Sequence, residues 1–369
     1  MPYHVHKEDK MTHFEFYLRH FGIIEFEYFI YFCAFLISML ELVRSFPHQM
    51  QDSYRLAQNF DLNSIKKEKI SNIVIAGMGG SGIGASIVAE YLKNNSPIPI
   101  FVSKSYLPPA FISSSTLFIV SSYSGNTEET VEAMRIAIEK QCQIITICSG
   151  GIVKEMSESY HFPCQSVPSG FPPRASLAYS FYQLLHIFNQ LGIAPSGLDD
   201  CWLEAADYLI SNYNSIFSEA EVIAEKLNNR IPVIYSDSDF EAPAIRFRQQ
   251  LNENSKMLAY HHVIPEMNHN ELVGWKNVNK SIVALMIRTN FDYSRNLRRM
   301  DFVKRIIQRN HIELVEMNLN HENRLKNILY FIHLTDLVSV IIAQKSNIDP
   351  MEVHVIDDLK NELSKNSMG

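Results

Sequence analysis

The chain has 369 residues, enough for two or three domains around a large buried core, which excludes a peptide hormone or a small disulfide-stapled module. Lys and Arg number 33 against 40 Asp and Glu, a net charge of -7, so nucleic-acid binding driven by overall charge is not expected. Apolar residues make up 46% and charged residues 20%, a balance too hydrophobic for disorder, and the five cysteines (Cys33, Cys142, Cys148, Cys164 and Cys201) contain no CxxC pair and leave an odd one over, which fits a reducing cytoplasm.

Residues 28–40, YFIYFCAFLISML, are apolar but fall short of the roughly 20 needed to span a bilayer. Glu27 and the Met39-Leu40-Glu41 stretch do not suit a signal peptide. Residues 1–38 are therefore read as an extension of open status: dispensable, a packed helix, or a weak anchor. Met39 opens an amphipathic segment, so 39–70 is expected to be helical.

From Ile73, short β-rich runs alternate with helical patterns. The runs 72–80, 97–104, 116–122 and 143–151 read as strands, with helices over 81–95 and 125–141 between them. That order implies α/β architecture, a parallel sheet flanked by helices. A helical stretch follows at 175–228, and the alternation restarts with strands at 231–237, 257–265, 281–289 and 312–318. Two tandem α/β halves, 71–228 and 229–369, are the simplest account. A long helix over 321–345, expected to leave an apolar face exposed, and a short one near 357–365 close the chain.

Two loops carry chemistry. Gly77-Met78-Gly79-Gly80-Ser81-Gly82 follows the first strand and opens a helix, formally a dinucleotide fingerprint. The second strand, however, ends in Ser103-Lys104-Ser105, with no acidic residue to hold a ribose, and Ile83 stands where a phosphate-binding Walker loop needs Lys. What remains is a glycine turn whose N–H groups, with Ser81, suit an oxyanion. The third strand ends in Ser122-Tyr123-Ser124-Gly125-Asn126-Thr127-Glu128-Glu129-Thr130, hydroxyls at the carboxyl end of a parallel strand, where ligands bind. Asn126 with Glu129 also reads as a capping box. The two loops together predict a phosphate site.

These motifs, with Pro172-Pro173-Arg174-Ala175, resemble the sugar isomerase (SIS) domain, and with Asn252-Glu253-Asn254 and the run Asn268-His269-Asn270-Glu271 they resemble the bifunctional phosphoglucose/phosphomannose isomerases. The resemblance runs from about Met39 to the C-terminus. It implies two flavodoxin-like SIS domains and interconversion of glucose 6-phosphate and mannose 6-phosphate with fructose 6-phosphate. It implies phosphate binding by Gly80, Ser81, Ser122, Ser124 and Thr127, with Gly79 and Pro173 lining the substrate. Catalysis would fall to Glu253 as proton-transfer base, Arg174 beside the enediolate, and His269 and Lys360 in ring opening, although Lys345 and Lys365 also lie near the end. It further implies a cytoplasmic homodimer in which His269 reaches the neighbouring subunit's site, a phosphosugar as partner, and neither nucleic acid nor membrane.

Moving a proton from C2 to C1 through a cis-enediolate needs one carboxylate and a cation near the developing oxyanion. Such a reaction requires no cofactor and no metal. His261, His262, Glu266 and His269 are spaced unlike a zinc motif. Each residue has a bland alternative: Glu253 a solvated helix position, Arg174 a helix-start pair, His269 a loop residue, Lys360 a surface lysine. Two rival functions are a non-catalytic sugar-phosphate sensor, disfavoured by Glu253, Arg174 and His269 standing together, and an amidotransferase-type enzyme, for which too few residues precede the first strand.

Overall fold

In a computed structural model, residues 38–366 are described. The readings of the segment before Met39 fall outside them. Met39 opens helix α1 (Met39–Arg44), followed by α2 (Phe46–Ala57), whose first turn holds Pro47 where a missing N–H costs nothing.

The first half is a five-stranded sheet: β1 (Asn72–Ala76), β2 (Ile100–Ser103), β3 (Thr116–Ser121), β4 (Gln143–Cys148) and β5 (Cys164–Ser166), in the order β2-β1-β3-β4-β5. Every pairing is parallel. The central strands β1, β3 and β4 are buried on both faces, which is why they read as unbroken Val/Ile/Leu runs. Helices α3 (Gly79–Leu92), α4 (Glu128–Glu139) and α5 (Gly151–Tyr160) are the crossovers. Helices α6 (Leu177–Gln190), α7 (Leu198–Ser211) and α8 (Tyr213–Leu227) lead to the second half.

There β6 (Ile231–Asp237), β7 (Tyr260–Ile264), β8 (Ile282–Thr289) and β9 (Leu314–Leu319) form a second all-parallel sheet, ordered β7-β6-β8-β9. Helices α9 (Glu241–Ser255) and α10 (Ser294–Arg309) connect its strands, and α11 (Arg324–Lys345) and α12 (His354–Asn366) end the chain.

The exposed apolar face expected of the long helix is not there. α11 packs against α1, α7, α8 and α9, and Leu325, Phe331, Leu337 and Ile342 are all buried. Its apolar length would suffice to cross a membrane, but 89% of that stretch is buried inside the protein. The helix is hydrophobic all round because both halves use it as core, and the chain from Met39 onward is one compact unit.

Candidate active site

The order of the first sheet reverses direction between β1 and β3, and a crevice opens at the carboxyl ends of strands flanking such a point. Both loops singled out in the sequence meet there. A side-chain carbon at Gly77 would lie 2.7 Å from the Ser121 carbonyl oxygen, so only glycine lets the β1 turn approach the end of β3. The Tyr123 amide donates to Ser81 Oγ at 3.1 Å, which ties the glycine turn to the hydroxyl loop. Ser122 Oγ donates to Thr127 Oγ1 at 3.2 Å, and the Asn126 amide donates to Ser124 Oγ at 3.2 Å.

The capping box does not form. Asn126 Oδ1 instead accepts from the Ile152 amide at 3.1 Å and so caps α5; the N-cap of α4 is Thr127, whose side chain caps nothing. Asn126 is diverted because Gly150 and Gly151 bring α5 against the loop: a carbon at Gly125 would sit 1.8 Å from the Gly150 carbonyl oxygen. With Met78 at the N-cap of α3 and Thr127 at that of α4, both helices start at this crevice without a side-chain cap. Their first-turn N–H groups and partial positive charge face the place where an anion would sit.

Lys104, at the end of β2, lies beside Gly82. Burial, and then the Arg248 guanidinium, hold its ammonium below the ordinary lysine range. A cation therefore stands where a dinucleotide site would place its ribose-binding carboxylate.

The second part of the site is built on the turn Pro173–Ala175. A carbon at Gly80 would come within 2.7 Å of the Pro173 carbonyl oxygen, so the start of α3 presses directly on this turn. Arg174 is only 5% exposed. Its Nε donates to Asn254 Oδ1 at 2.8 Å, and one terminal nitrogen donates to the carbonyls of Pro350 at 2.6 Å and Met351 at 3.0 Å. The other stands 3.7 Å from a Glu253 carboxylate oxygen, an ion pair too long for a hydrogen bond. Burial lowers the affinity of Arg174 for its proton, and Glu253, Asp349 and Glu352 work against that loss.

The support behind these groups comes from α11. Arg246 pairs with Asp336 at 2.5 Å, both side chains 3% exposed, and also donates to the Arg174 carbonyl at 3.1 Å. Asn254 Nδ2 donates to Ser339 Oγ at 2.9 Å and Ser255 Oγ to the Ser339 carbonyl at 2.6 Å. Lys256 Nζ gathers the carbonyls of Glu253, Asp349 and Glu352 at 2.9, 3.0 and 2.6 Å. A cavity of about 330 Å³ opens beside Glu253, lined by Lys256, Glu352, Leu258 and Ile356 among others.

Of the residues anticipated from sequence, Gly79, Gly80, Ser81, Ser122, Ser124, Thr127, Pro173, Arg174 and Glu253 thus belong to one connected group. Among the described residues, no hydrogen bond or ion pair joins His269 or Lys360 to it. His269 is exposed at the end of the turn Glu266–His269. Lys360 is exposed on α12 and pairs with Asp357 at 3.3 Å. His261 faces Glu241 at 3.7 Å, whereas His262 Nδ1 accepts from the Val263 amide at 2.8 Å; among the described residues no three such groups gather as metal ligands would. Lys256, Arg246 and Asp336 were not singled out, and Asn254 was read as part of the Asn252-Glu253-Asn254 motif without a role of its own. The one available signal was Asp336 itself, the lone acidic residue in the middle of an apolar helix, which demands a buried partner.

Comparison with known proteins adds to this geometry. Residues 217–363 match the bacterial phospho-glucose isomerase C-terminal SIS domain, and residues 64–164 match the SIS domain. The bifunctional phosphoglucose/phosphomannose isomerase of Caldicellulosiruptor bescii is 38% identical over 89% of this chain and 99% of its own length. That of Aquifex aeolicus is 34% identical over 86% of this chain and 100% of its own. Among solved structures, tagatose-6-phosphate ketose/aldose isomerase from Escherichia coli has the same fold, with a TM-score of 0.68 at 15% identity over 86% of this chain and 95% of that one.

Proposed function

The chain belongs to the family of bifunctional phosphoglucose/phosphomannose isomerases, and on that premise we propose that Glu253 and Arg174 are the pair that carries the reaction. The protein is an aldose-ketose isomerase interconverting glucose 6-phosphate and mannose 6-phosphate with fructose 6-phosphate. The phosphate lies in the crevice between β1 and β3, held by Gly80, Ser81, Ser122, Ser124 and Thr127 and the uncapped starts of α3 and α4. Gly79 and Pro173 line the sugar.

In the opened aldose, Glu253 takes the proton from C2. The C–H electrons become the C1=C2 bond and negative charge moves to O1, beside the Arg174 guanidinium. Return of the proton to C1 and transfer of the hydroxyl proton from O2 to O1 give the ketose. The observation that supports this reading is the 3.7 Å ion pair. Arg174 spends its hydrogen bonds on Asn254 and two carbonyls, which leaves the carboxylate near a cation yet not bonded to it, free to accept a proton from substrate.

His269 and Lys360 assist ring opening. Because His269 is exposed at the end of its turn, it serves the site of a second subunit in a homodimer. The enzyme works in the cytoplasm.

The test is fructose 6-phosphate formation from each aldose by the full chain and by Glu253→Gln, with and without EDTA. The wild type turns over both sugars, and the variant loses about 10²-fold to 10⁴-fold in kcat while KM changes little. Undiminished kcat in the variant would remove Glu253 from this role, and binding of both sugars without turnover by the wild type would leave a sensor.

A further inference from the structure

Two of the cysteines form a pair that the isomerase chemistry does not use. Cys148 ends β4 and Cys164 opens β5, and their sulfurs lie 3.8 Å apart. Cys148 is fully buried, whereas Cys164 is half-buried and lines a surface groove with Asn59, Asp61, Ser157 and Glu158. Strand β5 is three residues long and pairs on one side only, so a short edge strand bears the shift that closes the gap to a bond of about 2.05 Å.

The two thiols are chemically unequal. Cys164 is held below the ordinary thiol range, first by a hydrogen bond from the Cys148 thiol and then, against burial, by the Thr146 and Ser157 hydroxyls and the Lys154 charge. Cys148 is pushed up by the same hydrogen bond and by burial. Cys142 and Cys201 are pushed up to about 11 by burial and stay protonated. The attacking sulfur is thus the one reached from solvent, and the resolving thiol is already in contact with it.

Cys148 is also tied to the substrate crevice from both sides. The carbonyl of Ile147 accepts from the Ser122 amide at 3.0 Å. The amide and hydroxyl of Ser149 both donate to the Tyr123 carbonyl, at 2.8 and 2.7 Å. Any shift at Cys148 is therefore passed to the hydroxyl loop.

We propose that Cys164 and Cys148 are a peroxide-responsive dithiol whose oxidation weakens phosphosugar binding at the adjacent loop. The Cys164 thiolate attacks a hydroperoxide: an S–O bond forms, the O–O bond breaks, and hydroxide (or alkoxide) leaves and is protonated. The Cys148 thiol gives up its proton and attacks the Cys164 sulfur; the S–S bond forms and the S–O bond breaks, releasing water. Two thiols are oxidised and one peroxide is reduced. The carboxylates of Asp61 and Glu158 at the groove favour a neutral hydroperoxide over an anionic oxidant. The effect on affinity rests on the isomerase reading, whereas the dithiol chemistry does not.

The full chain is treated with hydrogen peroxide, its remaining thiols are alkylated, and its peptides are mapped by mass spectrometry. The expected result is a Cys148–Cys164 cross-linked peptide lighter by two hydrogens, a several-fold rise in KM for glucose 6-phosphate, and recovery of both with dithiothreitol. Cys164→Ser abolishes the cross-link and keeps KM insensitive to peroxide; Cys148→Ala leaves Cys164 as a sulfenic acid that dimedone captures. No cross-link in the wild type, or a cross-link with unchanged KM, overturns the proposal. If the untreated chain turns over no phosphosugar, the isomerase reading fails alone, because the peptide map still reports the dithiol.

Discussion

Gly80→Ala tests whether the proposed phosphate turn and the proposed catalytic pair, Glu253 and Arg174, are mechanically one unit. The new carbon would stand 2.7 Å from the Pro173 carbonyl oxygen and 3.1 Å from its carbon, both backbone atoms that no rotamer change can move. Restoring ordinary contact requires the Pro173–Ala175 turn to retreat by about 0.7 Å, an overpacking that costs about 1–3 kcal/mol. Arg174 is the next residue of that turn and is fixed by Asn254, Pro350, Met351 and the Arg246 bond to its carbonyl. It cannot follow the turn without shifting relative to Glu253. A displacement approaching 1 Å at a reacting centre costs on the order of 10²-fold in rate. The assay is steady-state isomerisation beside thermal unfolding, with Gly84→Ala as control. Gly84 lies one turn further along α3, and a carbon there meets only side-chain ends, that of Leu177 at 3.1 Å and the Ser180 hydroxyl at 3.5 Å. Gly80→Ala should lose about two orders of magnitude in kcat, and Gly84→Ala should lose little. Equal kcat in the two variants would refute the argument that Gly80 positions Arg174.

Three other outcomes follow from buried charges. Glu90, on α3, accepts from the Ala242 amide at the start of α9 at 2.9 Å. Burial pushes its carboxyl up to about 7, against the pull of that amide, Arg324 and Lys93. Because the folded state holds this proton more tightly than the unfolded chain, its contribution to stability is full below the ordinary value of 4.5 and is lost as pH rises through about 7. Wild type should therefore lose up to about 3 kcal/mol between pH 4.5 and 8 relative to Glu90→Gln, and a pH-independent difference in urea unfolding would contradict this. Asp336→Asn strips the buried Arg246 of its counter-charge and should cost about 3–5 kcal/mol in urea unfolding, with much of it regained in Arg246→Met/Asp336→Leu; a loss under 1 kcal/mol would show the pair to be dispensable. At the second sheet, the carboxyl ends of β6 and β8 carry Asp237 and Asp292, and Asp237 takes a hydrogen bond from Asn296 at 2.8 Å. Two carboxylates there repel a phosphate, so calorimetric titration of Glu253→Gln should find one phosphosugar per chain, and two would contradict the electrostatic argument.

The strands were legible because strands buried on both faces leave continuous β-branched runs, and the long central ones of both sheets fall where those runs stand. Strand β5 was not, since Cys164-Gln165-Ser166 is a three-residue edge strand with neither alternation nor an apolar run. The two loops proposed to hold the phosphate stand out in the sequence because each is a local motif at a strand end. The Asn126 capping box was misread for a non-local reason: the competing amide, that of Ile152, lies 26 residues on and arrives only through the Gly150–Gly151 turn. Long-range polar partners share that difficulty. Arg246 and Asp336 are 90 residues apart, and nothing local in either segment names the other.

The two halves repeat one architecture, and on the proposed assignment they divide the chemistry between them, which accounts for the burial of α11 on every face. The first sheet supplies a crevice of hydroxyls and unpaired helix starts, suited to a phosphate but offering no base. The second half supplies Glu253 at the carboxyl end of α9, and its own crevice, occupied by Asp237 and Asp292, is unsuited to an anion. A sugar phosphate can meet both only if α9 is held against α3 with little play, since proton transfer tolerates small error in position. Helix α11 performs that task by fixing α9 through Asp336 and two bonds to Ser339, while Arg246 in turn fixes the turn that bears Arg174. An exposed apolar face on this helix would have left one of those partners unsupported.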